Sequence, residues 1–167
     1  MTAALYFLIA QGVLGALDTL IYHELGARLP STPTARLELR LHASRDFAYA
    51  IIFGTLAWYT WNGALVWALL GILLFEIIIT LWDFIEEDLT RKLPAGERVM
   101  HTIMAILYGA FLANLGPALI TWAQSPTGFG HADYGIVSWI MTAFSVGVLM
   151  SGVRDAVASG RVIKYEL

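Results

Sequence analysis

The sequence predicts an all-α integral membrane protein of five transmembrane helices, on three observations. Apolar residues make up 58% of the chain and charged residues only 14%, a balance too apolar for a soluble domain of this size. Five apolar stretches reach the roughly 20 residues that a helix needs to cross a hydrocarbon core, with turn residues between them. When those stretches are drawn as alternating spans, all ten Lys and Arg fall on one side, together with every Asp and Glu except Asp133.

The first span covers residues 2–24. The chain start lacks the basic segment and small-residue cleavage site of a secretory signal, so it reads as an uncleaved helix. Residues 26–40, with Pro30 and Pro33, form the longest polar connection, and the second span follows at 39–61. Asn62 and Gly63 turn the chain into the third span, 64–87. Pro94 and Gly96 break it before the fourth, 99–123, and residues 125–133 lead to the fifth, 134–159. The whole chain, 1–167, reads as one polytopic membrane domain. Short connections make sequence neighbours antiparallel.

The ten-to-zero distribution of Lys and Arg sets the orientation by the positive-inside rule. It predicts a multi-pass protein of the cytoplasmic (inner) membrane, N-terminus outside and C-terminus inside. Trp61, Trp67, Trp122 and Trp139 then lie at the outer ends, where indoles anchor helices at the interface.

A weak internal repeat relates helices 1–2 to helices 3–4. Leu25, Leu29 and Pro30 align with Leu89, Leu93 and Pro94, and Ala50, Ile51 and Gly54 with Ala105, Ile106 and Gly109. The same alignment sets His23 on Glu87, Glu24 on Asp88, His42 on Glu97 and Asp46 on His101. It predicts a pseudo-symmetric four-helix core with a flanking fifth helix.

The absence of Cys excludes disulfides, thiolate-bound clusters and covalently attached c-type haem, so any metal must sit on imidazole or oxygen ligands. The basic residues are few and form no stripe, which excludes a nucleic-acid partner.

Ligand-type residues recur at helical spacing. On the third span Glu76, Thr80, Asp83 and Glu87 share a face; Glu97, His101 and Tyr108 do so on the fourth, and His42, Asp46 and Tyr49 on the second. On the first span Gln11, Asp18 and Tyr22 align, with His23 a quarter-turn round. Flanking charges such as Glu24, Glu38, Glu86, Asp88 and Arg91 are expected to snorkel to the interface. Glu76 is not: it lies about 18 Å along the helix from Asp88 at 1.5 Å per residue.

Four helices offering carboxylates and imidazoles inward is how bundles bind two metal ions. The expected ligands are His23, His42, Asp46, Asp83, Glu87, Glu97 and His101, with Glu76, Tyr49 and Tyr108 as proton-relay or redox groups. Two divalent ions are expected, iron in preference to zinc or manganese, with haem the weaker reading. The style of coordination resembles di-iron carboxylate centres. Neither the Glu-x-x-His pair of ferritin-like bundles nor the His boxes of membrane desaturases is present, since the pairs here are four apart. The expected activity is a dinuclear oxidoreductase acting on a lipophilic substrate or oxygen near the cytoplasmic leaflet. Its partners are the lipid bilayer, that substrate, and either a second copy of the chain or a redox protein. The alternatives are a zinc-dependent membrane hydrolase, a proton or cation transporter, a b-type cytochrome and a non-catalytic membrane subunit.

Overall fold

The computed structural model describes residues 1–32 and 35–162; Pro33 and Lys164 lie outside them. Five long helices run antiparallel: α1 (Thr2–Asp18), α2 (Arg36–Leu56), α3 (Leu65–Thr90), α4 (Ala95–Ala123) and α5 (Ile136–Val162). A π-helical segment, Thr19–Ala27, continues α1 without a break. It ends where Arg28 takes a left-handed conformation, φ 51°.

Four of the helical stretches are long and apolar enough to cross a membrane: Thr2–Ala27, Leu65–Thr90, Ala95–Ala123 and Ile136–Arg161. The expected second span differs. α2 stops at Leu56, short of residue 61, and Arg36, Glu38, Arg40, Arg45 and Asp46 crowd its first half.

The missing turn of helix becomes a strand. Strand β1 (Tyr59–Asn62) pairs antiparallel with β2 (Gly128–His131), in register Tyr59 to His131 and Trp61 to Phe129. The connection between α4 and α5 therefore supplies one strand of a two-stranded cap. Gly63 donates its N–H to the Trp122 carbonyl at 2.8 Å, and Ala132 donates to that of Trp58 at 2.8 Å. Trp61 and Trp122 are buried beneath this cap, while Trp67 and Trp139 remain exposed.

Beneath the cap lies an apolar core that includes Leu5, Leu8, Phe53, Leu69, Phe111 and Met141. α2 packs most extensively on α5, ahead of α1 on α4 and α2 on α3, whereas the backbones of α3 and α4 stand further apart and meet through side chains such as Phe84 and His101. The α2–α5 seam is closed by small residues: Ser145 donates to the Ala50 carbonyl at 2.8 Å, and a Cβ on Gly152 would crowd Asp46 and Phe47. α5 is thus more closely integrated than a flanking addition requires.

Candidate metal centre

At the end of the bundle away from the cap, the buried helix faces turn polar. Asp18, His23, Glu38, His42, Asp83, Glu87, Glu97 and His101 are each at most 7% exposed. The spacing that predicts the α3 and α4 faces is what brings Asp83 and Glu87, and Glu97 and His101, inward.

His23 arrives by a different route. In an α-helix residues five apart sit about 140° from each other, which would turn His23 away from Asp18. The i→i+5 bonding of a π-helix places them on one face instead. His23 Nε2 accordingly lies 3.4 Å from Asp18 Oδ2, 3.5 Å from Glu97 Oε1 and 3.9 Å from Glu87 Oε1. Close approach of α1 to α4 depends on Gly96, where a Cβ would collide with the Tyr22 hydroxyl.

His101 uses both ring nitrogens. Nε2 is 3.2 Å from Asp18 Oδ2 and Nδ1 is 3.6 Å from Glu87 Oε2, with the ring stacked on Phe84. His42 Nε2 lies 3.1 Å from Asp83 Oδ2 and 4.0 Å from Glu87 Oε1. Its ring stacks on that of His23 with centroids 4.5 Å apart.

Among the described residues, two buried groups bring one ligand atom per residue within 4.8 Å of one another: Asp18, His23, Glu97 and His101, and His23, His42 and Glu87. Both can hold a metal ion by residue type and spacing. Around a tetrahedral ion with bonds of 2.0–2.2 Å, neighbouring ligand atoms stand about 3.3–3.6 Å apart. The His23–Asp18, His23–Glu97 and His101–Asp18 separations of 3.4, 3.5 and 3.2 Å fall near that spacing.

The orphaned atoms agree. Both nitrogens of His23, His42 Nε2, Asp18 Oδ1, Asp83 Oδ1 and Glu87 Oε2 are buried without a hydrogen-bond partner. An unsatisfied buried polar group costs about 1–3 kcal/mol. His101 Nε2 is hydrogen-bonded to Asp18 Oδ2 at 3.2 Å, whereas the Nε2 atoms of His23 and His42 lie beside carboxylate oxygens without such a bond.

Two cations enter the site that the sequence reading left at the interface or did not use. Arg91 donates to Glu38 Oε1 and Glu87 Oε1, each at 3.1 Å, and to both oxygens of Glu97 at 2.7 and 2.9 Å. Arg45 donates to Asp83 Oδ2 at 2.9 Å. Burial works against the charge on Arg91, but its bonds to Glu97 and the charges of Glu38 and Glu87 outweigh it and hold the guanidinium protonated.

Not every expected ligand joins the cluster. Asp46 belongs to neither ligand group and packs beside Gly152 of α5. Asp83 stands next to the second group, engaged by Arg45. Asp18, absent from the expected ligands, is central, and only the π-helical geometry reveals it. Asp155 of α5 is 3% exposed and lies 3.9 Å from His42 Nδ1. Arg154 pairs with both Asp155 and Glu24.

Glu76, Tyr49 and Tyr108 sit elsewhere. Seven residues separate Glu76 from Asp83, about 10 Å along α3. The three line a cavity of about 730 Å³ whose wall also includes Asp18 and His101. No protein-family model, no curated protein and no solved structure matches this chain.

Proposed function

We propose that this is a membrane-embedded metalloprotein whose polar end holds a dinuclear, iron-type centre and acts as an oxidoreductase on a lipophilic substrate. The observation that carries the reading is the convergence of one ligand atom each from buried Asp18, His23, Glu97 and His101 within 4.8 Å of one another, with both His23 nitrogens unpartnered. An imidazole Nε2 has one lone pair, so His23 serves one ion. The first ion therefore takes Asp18, His23, Glu97 and His101. The second takes His42, Glu87 and Asp83, and is held more weakly because Arg45 already bonds Asp83. Glu87 faces His23, His42 and His101 and would help to hold the ions between the two groups.

When bound, such ions supply one-electron and oxygen chemistry. The protein's own groups do the rest. Arg91 fixes Glu97 and Glu87 by hydrogen bonds, Asp155 stands beside the outer nitrogen of His42, and the apolar cap end excludes water. The cavity brings a substrate from the Glu76 end to the wall formed by Asp18 and His101.

The membrane topology belongs to the same proposal. α2 crosses as a fifth span despite its charges, because Glu38, His42 and Tyr49 face protein rather than lipid. The positive residues face the cytoplasm, with the N-terminus outside. Helices 1–2 and 3–4 form the pseudo-repeat, each half contributing carboxylate and imidazole to the centre.

One other reading has a specific observation behind it. Arg45 and Arg91 against Asp18, Glu38, Asp83, Glu87 and Glu97 make a network of internal ion pairs that could serve structure alone. Five carboxylates against two guanidinium groups leave three negative charges, which protonated imidazoles at His23, His42 and His101 or bound cations can each offset, so metal content decides between the two readings. A haem between the stacked His23 and His42 rings has no room at 4.5 Å. Elemental analysis with an absorption spectrum on gently purified protein tests the proposal. Two equivalents of iron per chain are expected; zinc in the same amount moves the reading to a hydrolase, and no stoichiometric metal leaves the ion-pair network.

A further inference from the structure

The cavity has polar groups at its inner end that the metal centre does not use. Glu76 is 1% exposed and Tyr108 8%. Thr80 donates to Glu76 Oε1 at 2.7 Å, and Gln11 donates to the Tyr49 hydroxyl at 3.4 Å. Tyr49 and Tyr108 meet edge-on with ring centroids 6.2 Å apart. After these bonds, Glu76 Oε2, Gln11 Oε1 and the Tyr108 hydroxyl remain buried without partners. Gln11 Oε1 only accepts, and Glu76 Oε2 accepts when the carboxyl is a carboxylate, so the ligand they suit is one that donates.

Most of the remaining wall surface is apolar, with Phe53 and Phe144 contributing, although Asp18, Arg45, Asp46, His101 and Arg154 also line it. Its volume of about 730 Å³ is within the range of small-molecule sites. Rim residues Leu81 and Ala105, where the backbones of α3 and α4 stand further apart, are exposed, as are Leu20 and Ile140 on the side between α1 and α5. The openings are therefore lateral, between helices apolar enough to face lipid. Gly15 and Gly147 border the cavity, and a Cβ at either meets nothing within 4 Å. The glycines leave space there rather than closing a helix contact. Among the described residues no unpaired Arg or Lys lines the wall to receive an anionic head, since Arg45 bonds Asp83 and Arg154 bonds Glu24 and Asp155.

We infer that this cavity binds a lipid-soluble molecule with a neutral, hydroxyl-bearing head, such as a phenol, quinol or long-chain diol. The head donates to Glu76 Oε2 and Gln11 Oε1 beside Tyr108, and the apolar tail leaves between the helices. This deepens the lipophilic-substrate part of the proposed function and rests on it.

The test uses the full chain in lipid nanodiscs with 4-hexylresorcinol as probe, hexylbenzene as the matched compound without hydroxyls, and protein-free nanodiscs to subtract partitioning. Saturable binding of 4-hexylresorcinol is expected, with hexylbenzene at least about tenfold weaker, as for loss of buried hydrogen bonds. Glu76→Gln and Tyr108→Phe each weaken the probe several-fold, and Gly15→Phe abolishes binding by filling the space. Equal affinity for the two compounds, or no saturable binding to wild type, overturns the inference. So does unchanged affinity in both Glu76→Gln and Tyr108→Phe. Metal content is measured on the same samples. Retained metal without probe binding counts against this inference alone, and probe binding without metal counts against the metal centre alone.

Discussion

The two ends of the bundle use the same helix faces with opposite chemistry. Along α3 the buried face runs Val66, Leu69 and Leu73 towards the strand cap, then Glu76, Asp83 and Glu87 towards the other end. Along α4 it runs Leu115, Phe111 and Tyr108, then His101 and Glu97. The cap end is close-packed, with Leu5, Leu8, Leu56, Leu69 and Leu115 fully buried. The polar end leaves nitrogens and oxygens without partners. Helices surrounded by lipid gain little from burying apolar surface against one another, so packing fit and backbone approach hold the cap end. Ion pairs hold the other, and their unsatisfied remainder is what a bound cation requires.

The contrast can be broken most directly at the ligands. Glu97→Ala or His23→Ala is expected to remove the first ion entirely, while Phe111→Ala leaves metal content intact; elemental analysis of the three variants decides it. Next in size is Arg91→Met, which leaves Glu38, Glu87 and Glu97 facing one another. It should cost roughly 3–5 kcal/mol in chelator-treated protein and less in metal-loaded protein, where an ion supplies the missing charge. Thermal unfolding with and without chelator measures the difference, and equal losses would mean that no cation shares those carboxylates. At the cap end, Leu115→Ala is expected to cost about 2–5 kcal/mol, by the same amount with and without metal. A metal-dependent loss there would couple the two ends. Smallest is Asp46→Asn, which should change stability by about 1 kcal/mol or less and leave both ions in place. Loss of an ion in that variant would return Asp46 to the ligand set.

Much of this arrangement was legible in the sequence because helical periodicity is local. Spacings of three and four place Asp83 with Glu87 and Glu97 with His101 whatever the helices pack against, and all four are buried. The burial of Glu76 was legible from depth alone. Asp46 misled because it shares a helix face with His42 at four residues, yet α5 takes that edge of α2 through Gly152. Arg91 and Glu38 misled in the opposite sense. A charge near a span end snorkels when water is nearby, but three carboxylates from separate parts of the chain converge on Arg91 and keep it inside.

By itself, then, the sequence determined the helical class, the apolar stretches and the inward faces of α3 and α4, since each follows from composition or from a period of 3.6 residues. Only the tertiary structure decided the π-helical turn that sets His23 over Asp18, the strand cap that ends α2 early, the closeness of α5 to α2 and the cavity beside the more widely spaced α3 and α4. Each of these depends on which surfaces meet across the bundle. A change of helical period or the fit of a glycine against a distant side chain is settled by the partner and not by neighbours in the chain.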